Sequence, residues 1–285
     1  KLSFQEKLFL YQSFVWYYYI ILDFRKCHDY AVKWVNLFKQ HEEFVNWDVD
    51  VMMRGYHYIL TTAYNNRDRE SFKLYLAEFE NFRKTNYHKF NENSKIFSFI
   101  YVHNGRLNSY FLSGDFLGGV KVIPKTLRRI KRYGDRLDAH RIMVLYFKMA
   151  WMYLANGQAG KAINYLNKIF SIEVGVLRED IQGYSQLLFL MAHFDLENFD
   201  IMKYLVQRAE STFRKMKDRS KLQDVSLRFF MSIQKKGKSD YRPILEEFHW
   251  QLFKLKNDPY ERRAFLYLDI YSWVDAKIRR QSVSE

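Results

Sequence analysis

Apolar residues recur at spacings of three and four along almost the whole chain, and strict alternation over strand lengths is rare. That period predicts helices. Val120, Ile123, Leu127 and Ile130 form one stripe beside a basic face, and Ala162, Tyr165, Leu166, Ile169 and Phe170 form another. Little breaks these helices, since the only prolines are Pro124, Pro243 and Pro259 and few glycines fall inside the stripes.

Short polar turns punctuate the pattern: Lys26-Cys27-His28-Asp29, Asn65-Asn66-Arg67-Asp68, Ser113-Gly114-Asp115, Asn156-Gly157-Gln158, Glu197-Asn198-Phe199-Asp200 and Lys236-Gly237-Lys238-Ser239-Asp240. Most carry an Asp, which caps exposed backbone N–H groups and complements the helix dipole. Ser3-Phe4-Gln5-Glu6 reads as a capping box. Asp258-Pro259-Tyr260-Glu261 combines a cap residue, a proline for the first helical position and a first-turn acid. Residues at a common offset after each turn are Ala31, Phe72, Gly119, Ala162, Met202 and Ile244, separated by 41, 47, 43, 40 and 42 positions. A helix-turn-helix unit recurring at that length predicts an all-α solenoid of about six stacked antiparallel helix pairs. The expectation is one array over 1–285, closed by a C-terminal capping helix at 259–280. Each pair must stack on a neighbour to bury its apolar face.

Composition sharpens this picture. With 48% hydrophobic and 19% aromatic residues the chain has ample surface to bury, and no Gly/Ser/Pro-rich linker divides it. Cys27 is the only cysteine, which excludes an internal disulfide or a multi-cysteine metal site and suits a reducing, cytoplasmic compartment. The longest apolar run, Phe14 to Leu22, is nine residues, against about 20 for a membrane-spanning helix, so no membrane insertion is expected. The first residue is Lys, so the array is expected to be the C-terminal part of a longer chain. The abundance of Lys, Asn, Phe, Tyr and Ile is common in proteins of AT-rich bacterial genomes.

One stretch resembles a known family. Ala150-Trp151-Met152-Tyr153-Leu154-Ala155-Asn156-Gly157-Gln158-Ala159-Gly160-Lys161-Ala162 is similar to a tetratricopeptide repeat in its small residues, its aromatic and its turn Gly. Tyr110, Gly114, Asp115, Phe116 and Gly119 keep part of that pattern, and Ala192, Phe199 and Ala209 keep less. The resemblance implies a right-handed superhelix whose first helices line a concave face and bind an extended peptide. Carried onto this chain, the peptide-facing positions are Arg54, His57, Thr61, Tyr101, Asn104, Asn108, Phe147, Trp151, Leu187 and Met191. Arg54, His57, Asn104 and Asn108 would bond a peptide backbone or carboxylate, with Trp151 an apolar anchor. The competing reading places Trp151 and Met191 in the core between repeats.

The net charge of +14 and the pI near 9.5 bring in a second class of partner. Lys121, Lys125, Arg128, Arg129, Lys131 and Arg132 are six bases without an acid, and Lys121, Lys125, Arg128 and Arg132 share one helical face. Arg214, Lys215, Lys217, Arg219 and Lys221 form a second run, and Lys235, Lys236 and Lys238 a third. These rows suit nucleic-acid phosphates, or are solvated faces placed near helix C-termini. No HExxH, GxSxG or Gly-rich nucleotide motif occurs, the eight histidines are scattered, and Cys27 falls in an expected turn without a base partner, so its thiol is expected to be inert. No cofactor or metal is implied. The sequence therefore points to a non-catalytic protein- or peptide-binding scaffold, with a nucleic-acid-binding repeat protein as the alternative.

Overall fold

The computed structural model describes residues 2–46, 48–172, 178–236, 241–258, 260–281 and 283. Every regular element among them is helical, and helices close in sequence pack together. The chain divides into two compact units, Lys1–Ser113 and Gly114–Glu285.

The first unit contains α1 (Phe4–Ile20), α2 (Phe24–Gln40), α3 (Val49–Asn65), α4 (Arg69–Asn86) and α5 (Glu92–Ser113). Each packs on the next, and α3 also packs on α5. Ser3 and Glu6 form the capping box expected at the start of α1. Trp34, Phe38, Met53, Ile59, Phe72 and Phe79 are fully buried between the layers, and Tyr56 stacks on Phe79 at 5.2 Å and 14°. Burying one such side chain contributes about 1.5–3 kcal/mol, against about 0–1 kcal/mol for an exposed ion pair. Apolar contact between helix layers therefore dominates the stability of this unit. Helix α1 leaves Phe9, Trp16, Tyr17 and Ile20 exposed.

The second unit contains α6 (Phe116–Tyr133), α7 (Ala139–Ala155), α8 (Ala159–Phe170), α9 (Glu179–Asp195), α10 (Met202–Lys215), α11 (Lys221–Lys236), α12 (Arg242–Lys256), α13 (Ala264–Tyr267) and α14 (Ile270–Arg279). Gly119 sets the approach of α6 to α7: a Cβ there would collide with the Met152 side chain. Helix α9 is buried on nearly every side because α7, α8, α10 and α11 surround it. Its Phe194 ring meets Phe199, Phe229, Phe230, Tyr241 and Trp273. The Trp273 indole N–H donates to Asp195 at 3.2 Å, and Lys277 pairs with the same carboxylate at 2.9 Å. Burial pushes the Asp195 carboxyl upward while Lys277 opposes it.

One turn geometry recurs through both units. Leu22, Arg67, Gly114, Gly157 and Glu197 all take positive φ, at 61, 57, 75, 71 and 54°. At four of these turns the N–H of the next residue returns to the preceding helix: Asp23 to Tyr18, Asp68 to Ala63, Gln158 to Tyr153 and Asn198 to His193, at 2.8–3.0 Å. Asp23, Asp68 and Asp115 then accept from the N–H groups of Lys26, Ser71 and Gly118 and cap the following helix. One turn further on, Cys27, Phe72, Gly119 and Ala162 are buried. The repeat is thus a stop, a cap and an inward residue.

This register corrects two sequence expectations. Residues 26–29 are not a turn; they lie inside α2, whose cap is Asp23, and Cys27 takes the inward position assigned to Ala31. A continuous helix at 259–280 is also not formed. Pro259 lies outside the described residues, α13 stops at Tyr267, Leu268 is extended, and Asp269 caps a separate α14. Glu261 does not serve its own helix start: its carboxylate accepts from the N–H groups of Lys221 and Leu222 and caps α11. The expected turn at 237–240 lies outside the described residues.

Candidate functional site

Six of the ten peptide-facing candidates lie on α3 and α5 of the first unit. Arg54 is exposed, while His57, Thr61, Tyr101, Asn104 and Asn108 are half-buried. His57 stacks on Tyr101 at 4.4 Å and 11°. The contact extends on both sides. Tyr101 stacks with Phe97 at 6.2 Å, His57 touches Tyr58 at 6.0 Å, and Tyr58 meets Tyr19 of α1 edge-on at 5.9 Å. A row of partly exposed rings therefore crosses α5, α3 and α1, and Trp16 of α1 is itself 46% exposed. Burial pushes the Tyr58 hydroxyl upward in pKa, so it stays protonated and available as a donor. Thr61 donates to the His57 carbonyl at 2.8 Å, and the inward Oδ1 of Asn104 has no hydrogen-bond partner among the described residues. Tyr19, Tyr58 and Phe97 were not singled out from sequence. The four-residue spacing of Phe97 and Tyr101 is a local signal, but the alignment with α1 and α3 is not.

The other four candidates are corrected. Phe147, Trp151, Leu187 and Met191 of the second unit are all buried, with Trp151 only 7% exposed and Leu187 and Met191 at 0%. They serve as packing between helices, because α7 and α9 each have neighbours on several sides and their apolar residues are consumed by that packing. The stretch around Gly157 instead forms the α7–α8 pair, with Ala150 and Ala162 fully buried and Tyr153 stacked on Tyr165 at 5.4 Å.

A second polar cluster joins α2, α3 and α4. Thr62 donates its hydroxyl proton to the Tyr58 carbonyl at 2.8 Å, so it accepts from His28 Nδ1 at 3.0 Å. Nε2 then accepts the Ser71 hydroxyl proton at 3.1 Å. His28 is therefore neutral, and desolvation holds its pKa below the usual imidazole range despite the raising influence of Asp68 and Asp29. The ring opens onto a cleft of about 520 Å³ with Val32, Lys33 and Tyr75. Sequence placed His28 in a turn, where such bonding is impossible.

The basic rows differ sharply from one another. On α6, Lys121, Lys125, Arg128, Lys131 and Arg132 are exposed and Arg129 is half-buried. In the second run Arg219 pairs with Glu210 and Asp224, Arg214 pairs with Glu210, and Lys221 pairs with Asp258 at 2.9 Å. Three of that run's five bases are thus paired within their own unit. Of the third run, Lys238 lies outside the described residues.

No family model matches the chain, and neither the curated proteins nor the solved structures contain a significant match to it. No helix among the described residues is long and apolar enough to cross a membrane.

Proposed function

We propose that this chain is a non-catalytic scaffold of stacked helix pairs that holds an extended peptide against the first helices of its pairs. The observation that carries the reading is the aromatic row from Phe97 through Tyr101, His57 and Tyr58 to Tyr19, bordered by Arg54, Asn104 and Asn108. Partly exposed aromatics give large contact area at low entropic cost, and their polar edges bond a peptide backbone. The repeated turn supports a tetratricopeptide-like array that continues as a right-handed superhelix, and a cytoplasmic setting fits the lone cysteine. Within the reading, Arg54 supplies a fork for a carboxylate or carbonyl, and Asn108 an amide for the backbone.

The experiment is selection of a random peptide display library against the full chain, followed by anisotropy titration of the enriched peptides. Tyr101→Ala and Asn108→Ala should each weaken binding about tenfold or more, the range of interface anchors, with unchanged circular dichroism. Trp151→Ala should lower stability while leaving affinity intact in the folded fraction. Enriched peptides indifferent to both Tyr101→Ala and Asn108→Ala would remove the proposal, as would a selection that enriches nothing.

A further inference from the structure

The net charge is not evenly spread. Lys1–Ser113 carries 15 basic and 12 acidic residues and Gly114–Glu285 carries 31 and 20, so +11 of the +14 belongs to the second unit. More than half of that excess sits on α6, which has six bases and no acid.

The helix is sharply two-faced. Phe116, Gly119, Ile123, Thr126 and Ile130 turn inward, and Lys121, Lys125, Arg128 and Arg132 run along the opposite side. At about 1.5 Å rise per residue these four cations make a straight row on the order of 16 Å long. Among the described residues no carboxylate lies within ion-pairing distance of the six bases of α6, whereas the bases at 214, 219 and 221 are paired. The nearest acids in sequence lie at the ends of the helix: Asp115 caps its N-terminus, Asp135 follows its C-terminus, and Asp138 is engaged in capping α7. Exposed like charges repel at this spacing; three bases of the second run find carboxylates, and among the described residues those of this row do not.

We propose that this face of α6 docks on the phosphate backbone of a nucleic-acid duplex. A linear row of unpaired Lys and Arg matches evenly spaced phosphates, and arginine forks at 128 and 132 engage phosphate bidentately. The remaining composition decides among anionic partners. A lipid surface requires a band of exposed apolar residues beside the bases, and α6 offers Leu117 alone among the exposed large hydrophobics. A single strand requires aromatic platforms, but Phe116 is buried and Tyr133 is covered by Arg136 at 5.7 Å. The pairing of Asn or Gln with adenine has no counterpart on α6, and the arginines of its exposed row are assigned to phosphate. The proposed contact is therefore with the backbone of a duplex.

The test uses the full chain and a fluorescein-labelled DNA duplex of arbitrary sequence, titrated by anisotropy over a series of salt concentrations. Four phosphate contacts give a log–log salt slope of roughly −3 to −4. Lys125→Glu/Arg128→Glu should weaken binding at low salt at least about tenfold and flatten the slope by about two. Lys125→Gln/Arg128→Gln should act in the same direction, which covers the case in which charge reversal perturbs folding. Lys215→Glu/Lys217→Glu should leave binding in place, and so should Tyr101→Ala, which separates this site from the peptide face. Unchanged affinity in both α6 variants would overturn the assignment. So would salt-independent binding, or tighter binding to phosphatidylserine vesicles or polyglutamate than to the duplex.

Discussion

Single residues here act by joining helices. His28 holds α2 to α3 and α4 only as the neutral ring, since Thr62 supplies an acceptor and Ser71 a donor. Its folded pKa lies below 6.5, so the unfolded chain takes up a proton before the folded one as the pH falls. His193, which accepts from Asn198 at 3.0 Å, is shifted the same way by desolvation and by Arg208. The contribution of these two rings is thus full above about pH 6.5 and is lost as the pH drops through their folded values. Urea midpoints should decline between about pH 6.5 and pH 5, and His28→Gln should reduce that decline; a flat profile in the parent protein would refute the linkage. Cys27 teaches a related lesson. The sequence reading that its thiol is inert agrees with a buried Sγ donating to the Val15 carbonyl at 3.2 Å and a pKa pushed up to about 12 by burial and then by Asp23. The expected reason, a turn without a base, was not the operative one. Trp151 shows the opposite limit: its position on a helix face was legible, but whether that face met solvent depended on α7 having neighbours beyond its own pair.

Among elements, the five positive-φ turns are the unit of repetition, and they explain what was and was not readable. Caps at Asp68 and Asp115 are local hydrogen bonds, so residue type reveals them. At Gly114 and Gly157 the left-handed residue announces itself, whereas Leu22, Arg67 and Glu197 adopt the same backbone without glycine. The first turn was accordingly misplaced by several residues. A non-glycine residue in this region costs about 1–2 kcal/mol, offset in part by the extra chain entropy that glycine loses on folding. Replacing exposed Glu197 with Gly should therefore stabilise by about 0.5 kcal/mol, and Gly157→Ala should destabilise by about 1 kcal/mol. Thermal midpoints shifting in the same direction for both would contradict a shared turn geometry. The final helix failed as a sequence expectation for a different reason. Glu261 is drawn to the N–H groups at the start of α11, a long-range bond that no first-turn pattern encodes.

At the scale of the whole molecule, the division at Ser113 and Gly114 is the feature that periodicity did not disclose. The same turn chemistry operates on both sides of it, so no break in the helical period marks it in the sequence. Each unit has its own buried aromatic centre, Trp34 and Phe79 in one and Phe194 and Trp273 in the other. Fragments 1–113 and 114–285 should each give a helical spectrum and a cooperative melt when expressed alone. A fragment that remains unfolded would mean that its core is completed by the other. What the sequence alone determined was the helical class, most of the helix starts and the presence of a one-sided basic row, all set by interactions within a few residues. What only the tertiary structure decided was which apolar faces stay open, as with Tyr101, and which close, as with Met191. It also decided which cations find a carboxylate among the described residues, as Arg219 does and Arg128 does not. Burial and ion pairing depend on the helices that arrive from elsewhere in the chain, and no local pattern carries that information.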